Sequence, residues 1–276
     1  MESTLKKNNP VLFLDSGIGG IPYCSHYHNR NPGESIIYLA DRAHFPYGKR
    51  SREEISSIVT GLAEQVLKTF NPKIIILACN TASLASISKL RERFPDIPFV
   101  GTEPAVKPAV LASKTGKIGV LGTEFTIKDP HIRELAARHG KCEVVGIPAP
   151  ELVEFVENRF ASAPKQEKLA TARSYLDRFR KAGVDGIVLG CTHFLFLLDE
   201  FRQEAKPDIT VFESINGISL RIESLLAKTD SQAQKDSRET PPAQNRLLLT
   251  GKEIPSAAWT GWADYLGFSL SVLEES

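Results

Sequence analysis

Short apolar runs alternate with amphipathic segments along most of the chain, and this alternation constrains the fold more than any other feature. The runs lie in VLFLD, SIIYLAD, IIILAC, KIGVLG, CEVVGIP, GIVLGC and ITVF, and β-branched residues are frequent in them. Amphipathic segments separate the runs, among them residues 52–70, 131–140 and 169–182. Strands separated by helices predict parallel sheets built from βαβ units, so the expected fold class is α/β.

The length of 276 residues favours two domains, since domains typically run to roughly 100–200 residues. One change of composition stands out at residues 227–245, AKTDSQAQKDSRETPPAQN, where large apolar residues are almost absent. Such a composition predicts a mobile loop. The segment after it, RLLLTGKEIPSAAWTGWADYLGF, regains strand and helix character and is expected to complete a sheet.

The overall charge gives no indication of a polyanionic partner. The chain carries 34 basic and 33 acidic residues, a net charge of +1, so no field favours nucleic acid or an anionic membrane. No apolar run approaches the roughly 20 residues of a membrane helix. The first residues, MESTLKKNNP, lack the apolar stretch of a signal peptide, so a cytoplasmic location is expected.

The four cysteines, Cys24, Cys79, Cys142 and Cys191, are scattered and form no CxxC pair. In a long cytosolic chain, thiols that are free or catalytic are more frequent than disulfides. The spacing also argues against structural zinc, and no metal site is expected. Cys24 and Cys142 fit the commonest role of a free cysteine, a small buried apolar side chain.

Four groups of polar residues follow predicted strands. They are Asp15 with Ser16, residues 79–81, Thr123 with Thr126, and residues 191–193. In open α/β sheets, ligands bind beyond the carboxyl ends of the strands, where the strand order reverses. We therefore expect these groups to line one cleft between two sheets.

Cys79 and Cys191 occupy similar settings, IIILACNTAS and GIVLGCTHFL. Each is expected at the start of a helix, where the helix dipole favours the thiolate. Asp15 and His193 are titratable and lie beside the thiols, so they are suited to move or tune protons. Two facing thiols suit one task well: one removes a proton from carbon and the other delivers a proton to the opposite face. Taken singly, either cysteine is more simply a buried apolar residue.

Five motifs carry a family resemblance. In order and spacing, the chain resembles the glutamate racemase branch of the aspartate/glutamate racemase superfamily over most of its length. The motifs are DSGIGG (15–20), FPYG (45–48), ACNTAS (78–83), TEPAVKPA (102–109) and LGCTHF (189–194). The combination of the first with both cysteine motifs is specific to that family.

The resemblance implies a role for each matched residue. The expected catalytic residues are the two thiols, Cys79 and Cys191, with Asp15 and His193 as auxiliary acids and bases. The expected substrate-binding residues are Asp15, Ser16, Tyr47, Gly48, Asn80, Thr81, Thr192 and His193. The implied reaction is racemisation of L-glutamate to D-glutamate without a cofactor, and the product feeds peptidoglycan synthesis.

The resemblance also implies the architecture: two flavodoxin-like parallel-sheet domains with the active site in the cleft between them. The first domain is expected to comprise residues 1–100 and 211–276 and to carry Asp15 and Cys79. The second is expected to comprise residues 101–210 and to carry Cys191 and His193. Family members are often homodimers, and the expected partner is the small substrate, with neither nucleic acid nor membrane.

Three other functions remain open from the sequence. Another acidic amino acid, aspartate above all, is the alternative substrate, since the thiol pair is shared across the superfamily. A non-catalytic protein that binds DNA gyrase is a second alternative, which the near-zero net charge does not support. A thiol–disulfide oxidoreductase is the third, and it is disfavoured because redox pairs generally use CxxC.

Overall fold

The protein divides into two compact units in a computed structural model, which describes residues 9–233, 244–252 and 254–273 and, within the first range, side chains up to residue 227. Unit 1 comprises the described residues of Met1–Thr102 and Ile215–Ser276, and unit 2 comprises Glu103–Ser214. The return of the chain to the first unit was expected at residue 211, which lies inside a strand of unit 2, Thr210–Phe212. Unit 1 instead resumes at Ile215.

Strands and helices alternate along both units. The strands are β1 (Val11–Asp15), β2 (Ile36–Ala40), β3 (Ile74–Leu77), β4 (Phe99–Gly101), β5 (Lys117–Gly122), β6 (Glu143–Pro148), β7 (Gly186–Gly190), β8 (Thr210–Phe212), β9 (Arg246–Leu249) and β10 (Ser269–Val272). The helices are α1 (Ile21–Arg30), α2 (Arg52–Phe70), α3 (Asn80–Arg93), α4 (Val106–Ala112), α5 (Glu124–Lys128), α6 (His131–His139), α7 (Pro150–Asn158), α8 (Lys165–Lys181), α9 (Leu198–Glu204), α10 (Ile215–Ala233) and α11 (Ala257–Leu266). In the described ranges, 3₁₀ turns add Arg42–His44, Tyr47–Lys49 and Thr192–Leu197.

Each unit has a parallel sheet. The strand order in unit 1 is β10-β9-β2-β1-β3-β4, and in unit 2 it is β6-β5-β7-β8. All described pairings are parallel. Both sheets contain the flavodoxin-like order, in which the first strand lies between the second and the third. The α/β class with two such sheets, predicted from the sequence, is confirmed.

The burial of the strands explains why their positions could be predicted from the sequence. Every residue of β1, β2, β3 and β7 is buried, as expected when helices cover both faces of a parallel sheet. Such strands appear as continuous apolar runs rather than as alternating ones. The polar residue that ends each run therefore marks the carboxyl edge of the sheet.

The C-terminal part of the chain returns to the sheet of unit 1. β9 pairs with β2 through Arg246 to Leu249, and β10 continues the sheet at its edge. Of the loop predicted at residues 227–245, residues 227–233 instead belong to α10. A polar helix end carries no apolar periodicity, so composition alone misassigned it. Residues 234–243 of that predicted loop lie outside the described residues.

Other differences from the sequence prediction are short elements. The predicted helix at 169–182 begins earlier, at Lys165, because its first turn is polar and shows no apolar stripe. The predicted strand ITVFESING ends at Phe212, and α10 begins at Ile215. The helix α1 and the three-residue strand β4 were not predicted. Within the described ranges, no helix combines the length and apolar character needed to cross a membrane.

The glycine turn after β1 packs closely against the end of β3. A Cβ on Gly20 would lie 2.6 Å from the Ala78 Cβ and 3.1 Å from the Tyr38 hydroxyl oxygen. The Tyr38 hydroxyl donates to the Gly17 carbonyl at 2.8 Å and accepts the Gly20 amide at 3.1 Å. The turn therefore has no room for a side chain at Gly20.

We expect Gly20→Ala to lower the free energy of unfolding by about 1–3 kcal/mol, the usual cost of overpacking a closed site. Gly33→Ala is the control, because nothing lies within 4 Å of a Cβ at Gly33. Urea unfolding followed by circular dichroism measures both variants. Equal stability of the two variants would contradict the close contact at Gly20.

Candidate active site

In unit 1, polar residues follow three adjacent strands at the carboxyl edge. β1 pairs with β2 on one side and with β3 on the other, so the strand order reverses at β1. Asp15 ends β1, Asp41 follows β2, and Cys79 follows β3 by two residues. This reversal is the position at which open α/β sheets bind ligands.

Cys79 is buried and caps the N-terminus of α3, as predicted. Ser83 fixes the first turn of α3. Its hydroxyl donates to the Leu77 carbonyl at 3.1 Å and accepts the Thr102 amide at 3.0 Å. The Ser83 amide in turn donates to the Cys79 carbonyl at 2.9 Å. These bonds hold the thiol in place at the positive end of a helix dipole.

Asp15 and Ser16 lie side by side at the end of β1. The Asp15 carboxylate is fully buried and accepts the Gly17 amide at 2.9 Å. The Ser16 hydroxyl is 3.4 Å from the same oxygen. The carboxylate therefore caps the glycine turn at the end of β1.

Tyr47 lies in the 3₁₀ turn Tyr47–Lys49 and is buried. Its hydroxyl donates to Asp41 Oδ2 at 2.6 Å. Burial, followed by the charge of Asp41 and the hydrogen bond to it, holds the pKa of Tyr47 well above its usual range, and negative charge on Cys79 and Asp15 raises that pKa further. The phenol is therefore neutral and lies within electrostatic reach of the thiol and of Asp15. Gly48 is the second residue of the same turn.

Asn80 and Thr81 begin α3 and are both buried. Within the part of the chain that the structure describes, the side-chain oxygen of Asn80 is buried without a hydrogen-bond partner. Buried acceptors are nearly always paired, so an orphan of this kind calls for an explanation. An unsatisfied acceptor next to Cys79 is suited to a donor on a bound molecule.

In unit 2, the strand order reverses at β5, which pairs with β6 on one side and β7 on the other. Cys191, Thr192 and His193 follow β7 at the carboxyl edge, and all three are buried. Cys191 caps a 3₁₀ turn, Thr192–Leu197, rather than an α-helix. Cys191 therefore stands at the start of a helix, as expected, but a short 3₁₀ helix aligns fewer peptide dipoles than the α-helix that follows Cys79.

His193 is an ionisable neighbour of Cys191. Its Nδ1 lies 3.8 Å from Cys191 Sγ, and its Nε2 lies 2.7 Å from Glu157 Oε1. Burial lowers the pKa of His193, but the hydrogen bonds to Cys191 and Glu157 outweigh it, and the pKa of His193 lies well above its usual range. A protonated imidazole beside a thiol favours the thiolate.

Glu157 is a site residue that sequence reasoning missed. It lies on α7, and its side chain is 13% exposed. ELVEFVEN places glutamates at 151, 154 and 157, a spacing typical of a solvated helix face. Only the packing of α7 beside the 3₁₀ turn Thr192–Leu197 distinguishes Glu157 from the other two, so no local signal identified it.

Thr123 and Thr126 serve as a helix cap. β5 ends at Gly122, and the Thr123 hydroxyl accepts the Thr126 amide at 3.2 Å at the start of α5. Their two hydroxyls lie 3.0 Å apart. Capping bonds of this kind usually stabilise a helix by about 1 kcal/mol, which explains both residues without a ligand.

The remaining cysteines are outside both sites. All four cysteines are free, and Cys24 is fully buried, where burial raises the pKa of its thiol far above the usual value. Cys142 is only partly buried and packs against the core of unit 2. Among the described residues, no cluster of three or more His, Cys, Asp or Glu side chains has a geometry suited to a metal ion.

Comparison with known proteins agrees with this arrangement. A family model described as Asp/Glu/hydantoin racemase matches residues 25–216, more than half of the chain. The chain is 36% identical to glutamate racemase of Roseiflexus sp. over 218 residues, which cover 79% of each chain. Two parallel-sheet units with these cysteine motifs thus define an isomerase of the amino-acid racemase class. The chain belongs to the Asp/Glu/hydantoin racemase family.

Solved structures show the same fold. Escherichia coli glutamate racemase in complex with L-glutamate and the activator UDP-MurNAc-ala is similar with a TM-score of 0.82 and 28% identity, over 96% of this chain and 98% of that one. Francisella tularensis glutamate racemase in complex with D-glutamate is similar with a TM-score of 0.77 and 25% identity, over 97% and 98% of the two chains.

Proposed function

We propose that the protein interconverts L- and D-glutamate by a two-base reaction in which the thiols of Cys79 and Cys191 act on the α-carbon without a cofactor. The observation that carries this proposal is that each thiol stands beside buried ionisable partners at a strand-order reversal. Asp15 ends β1, the strand paired with β3 next to Cys79, and negative charge on Cys79 acts on Tyr47. His193 Nδ1 lies 3.8 Å from Cys191 Sγ. The similarity to racemases bound to L- and D-glutamate supports glutamate as the substrate.

The reaction balances with two protons. One thiolate takes the α-proton, and the thiol on the other face gives its proton to the carbanion. No redox change occurs, and the product is the mirror image. After one turnover the protonation states of the two thiols are exchanged, and proton exchange with solvent restores them. Because the imidazolium of His193 stabilises negative charge on Cys191, it assists whether that thiol begins as base or as acid.

Substrate binding is proposed for the polar residues around the thiols. The orphan side-chain oxygen of Asn80 is suited to accept a hydrogen bond from the substrate ammonium group. Hydroxyls and backbone amides at the strand ends and helix starts are suited to carboxylates. We assign the remaining contacts to the other residues that the sequence indicated: Asp15, Ser16, Tyr47, Gly48, Thr81, Thr192 and His193.

Incubation in deuterated water tests the activity. Purified protein, dialysed against a chelator, is given L-glutamate or D-glutamate with no added cofactor. We expect the circular dichroism of each enantiomer to decay to zero while the α-hydrogen is replaced by deuterium. The absence of both changes would refute the proposal. Faster racemisation of aspartate than of glutamate in the same assay would replace the substrate but keep the two-thiol chemistry.

We further propose that the protein works as a cytoplasmic homodimer that supplies D-glutamate for peptidoglycan synthesis. This proposal rests on the family resemblance and on the glutamate racemase relatives. Light scattering coupled to gel filtration measures the oligomeric state. A mass of one chain at the concentration of the activity assay would contradict the dimer.

A further inference from the structure

We propose that Thr250 is a positioning residue for proton transfer at Cys79, acting through Asp41 and Tyr47. The three side chains form one hydrogen-bonded series, which we call the Asp41 network. It joins the end of β9, near the C-terminus of the chain, to the carboxyl edge where Cys79 lies. This inference rests on the proposed racemase function, and the experiment below separates the two.

Asp41 is the centre of the network. Its carboxylate is fully buried and accepts the Tyr47 hydroxyl at 2.6 Å on one oxygen and the Thr250 hydroxyl at 2.5 Å on the other. His44 Nδ1 lies 2.9 Å from the oxygen that Tyr47 contacts and 3.0 Å from the oxygen that Thr250 contacts. The Asp41 amide donates to the Asp15 carbonyl at 2.8 Å. A buried carboxylate with this many partners has a fixed orientation.

The direction of the Thr250 bond follows from its neighbours. The Thr250 hydroxyl accepts the Ala43 amide at 3.0 Å, so its proton is directed to Asp41. The Thr250 amide also donates to the Ala40 carbonyl at 3.1 Å, which fixes the residue at the end of β2. Thr250 is buried, with 8% of its surface exposed. It therefore holds one oxygen of Asp41, which leaves the other oxygen aligned with Tyr47.

The network determines how Tyr47 acts on its surroundings. Its hydroxyl has a single proton, and that proton is donated to Asp41. Towards Cys79 and a bound substrate, the phenol oxygen therefore acts only as an acceptor. Loss of the Thr250 bond removes the 2.5 Å donor from that carboxylate oxygen of Asp41, which among the described side chains then keeps the 3.0 Å contact with His44 Nδ1, and the carboxylate can turn. The Tyr47 hydroxyl then no longer donates in one fixed direction. The surroundings of Cys79 change as a result, although Thr250 does not contact the substrate.

Thr250→Val tests the inference, because valine keeps the shape of threonine and removes its hydroxyl. We expect kcat to fall about tenfold, which corresponds to roughly 1.4 kcal/mol of transition-state stabilisation, while KM changes little. Thr250→Ser, which retains the hydroxyl, should restore most of kcat. The matched control is Thr60→Val: Thr60 is also 8% exposed, and among the described residues its hydroxyl bonds only to the Ser56 carbonyl of its own helix. The control should keep the parent kcat.

Kinetic isotope effects distinguish a slower proton transfer at Cys79 from a general loss of folded protein. The two directions of racemisation use the same two proton transfers in opposite order. If Thr250→Val slows the transfer at Cys79, the effect of α-deuteration on kcat/KM rises for the enantiomer that Cys79 deprotonates and falls for the other. Loss of folded protein lowers the rates in both directions and leaves both isotope effects unchanged.

The outcomes are separable. If Thr250→Val matches Thr60→Val in kcat and in both isotope effects, Thr250 has no positioning role. The inference is also overturned if Thr250→Ser lowers kcat as much as Thr250→Val does. Loss of the hydroxyl would then not be the cause of the lower kcat. If the unmodified protein racemises neither glutamate nor aspartate, the proposed function fails instead.

Discussion

Replacing either active-site thiol by a hydroxyl should lower kcat for racemisation by about a hundredfold or more. This is the scale on which a positioned acid or base contributes to proton transfer at carbon. We expect Cys79→Ser and Cys191→Ser each to retain exchange of the α-hydrogen with deuterated water for one enantiomer. The two variants should favour opposite enantiomers, since each keeps the thiol that serves one face. Proton nuclear magnetic resonance of the recovered glutamate measures this exchange.

Cys142→Ser is the matched control for these variants. Cys142 is a free, partly buried cysteine outside the described site, so its replacement should leave racemisation at the parent rate. Racemisation at the parent rate by either Cys79→Ser or Cys191→Ser would show that the two-thiol assignment is wrong. Exchange by both variants for the same enantiomer would show that the thiols do not serve opposite faces.

The sequence was sufficient to predict the carboxyl edges of both sheets. Fully buried parallel strands appear as continuous apolar runs, so a polar residue at the end of a run marks the edge where ligands bind. Asp15, Cys79 and Cys191 were identified in this way, and the structure places each of them at such an edge. The family resemblance then added Tyr47 and Gly48, which lie in a turn that has no periodic pattern.

The residues that support those positions could not be predicted. Thr250 and Asp41 are separated by 209 residues, and their hydrogen bond depends on β9 pairing with β2. Glu157 has the spacing of a solvent-facing glutamate, and only tertiary packing brings it to His193. Hydrogen bonds between side chains distant in sequence leave no periodic or compositional signal. Residues that hold the catalytic side chains in place are therefore harder to predict from sequence than the catalytic residues themselves.

Removing the carboxylate beside His193 should have the second-largest effect. We expect Glu157→Gln to lower kcat/KM for both enantiomers by about tenfold to a hundredfold, because the imidazolium loses its 2.7 Å partner and the Cys191 thiolate loses a stable positive neighbour. The pKa of His193 should fall, since a contribution that raises it is removed. The alkaline limb of the rate profile should therefore move to lower pH. Steady-state rates measured across pH test this shift.

The same substitution has a consequence for stability whose sign is determined by the raised pKa of His193. A histidine that binds its proton more tightly in the folded chain contributes stability fully below its unfolded pKa of about 6.5, and it loses this contribution as pH rises through the folded pKa. The free energy of unfolding lost in Glu157→Gln should therefore be greatest at acidic pH and shrink as pH rises. Glu154→Gln, on the exposed side of the same helix, is the control and should show neither shift. A stability difference between Glu157→Gln and the parent that grows with pH would contradict the His193–Glu157 ion pair, since such a pair stabilises the protein only while the imidazole is protonated.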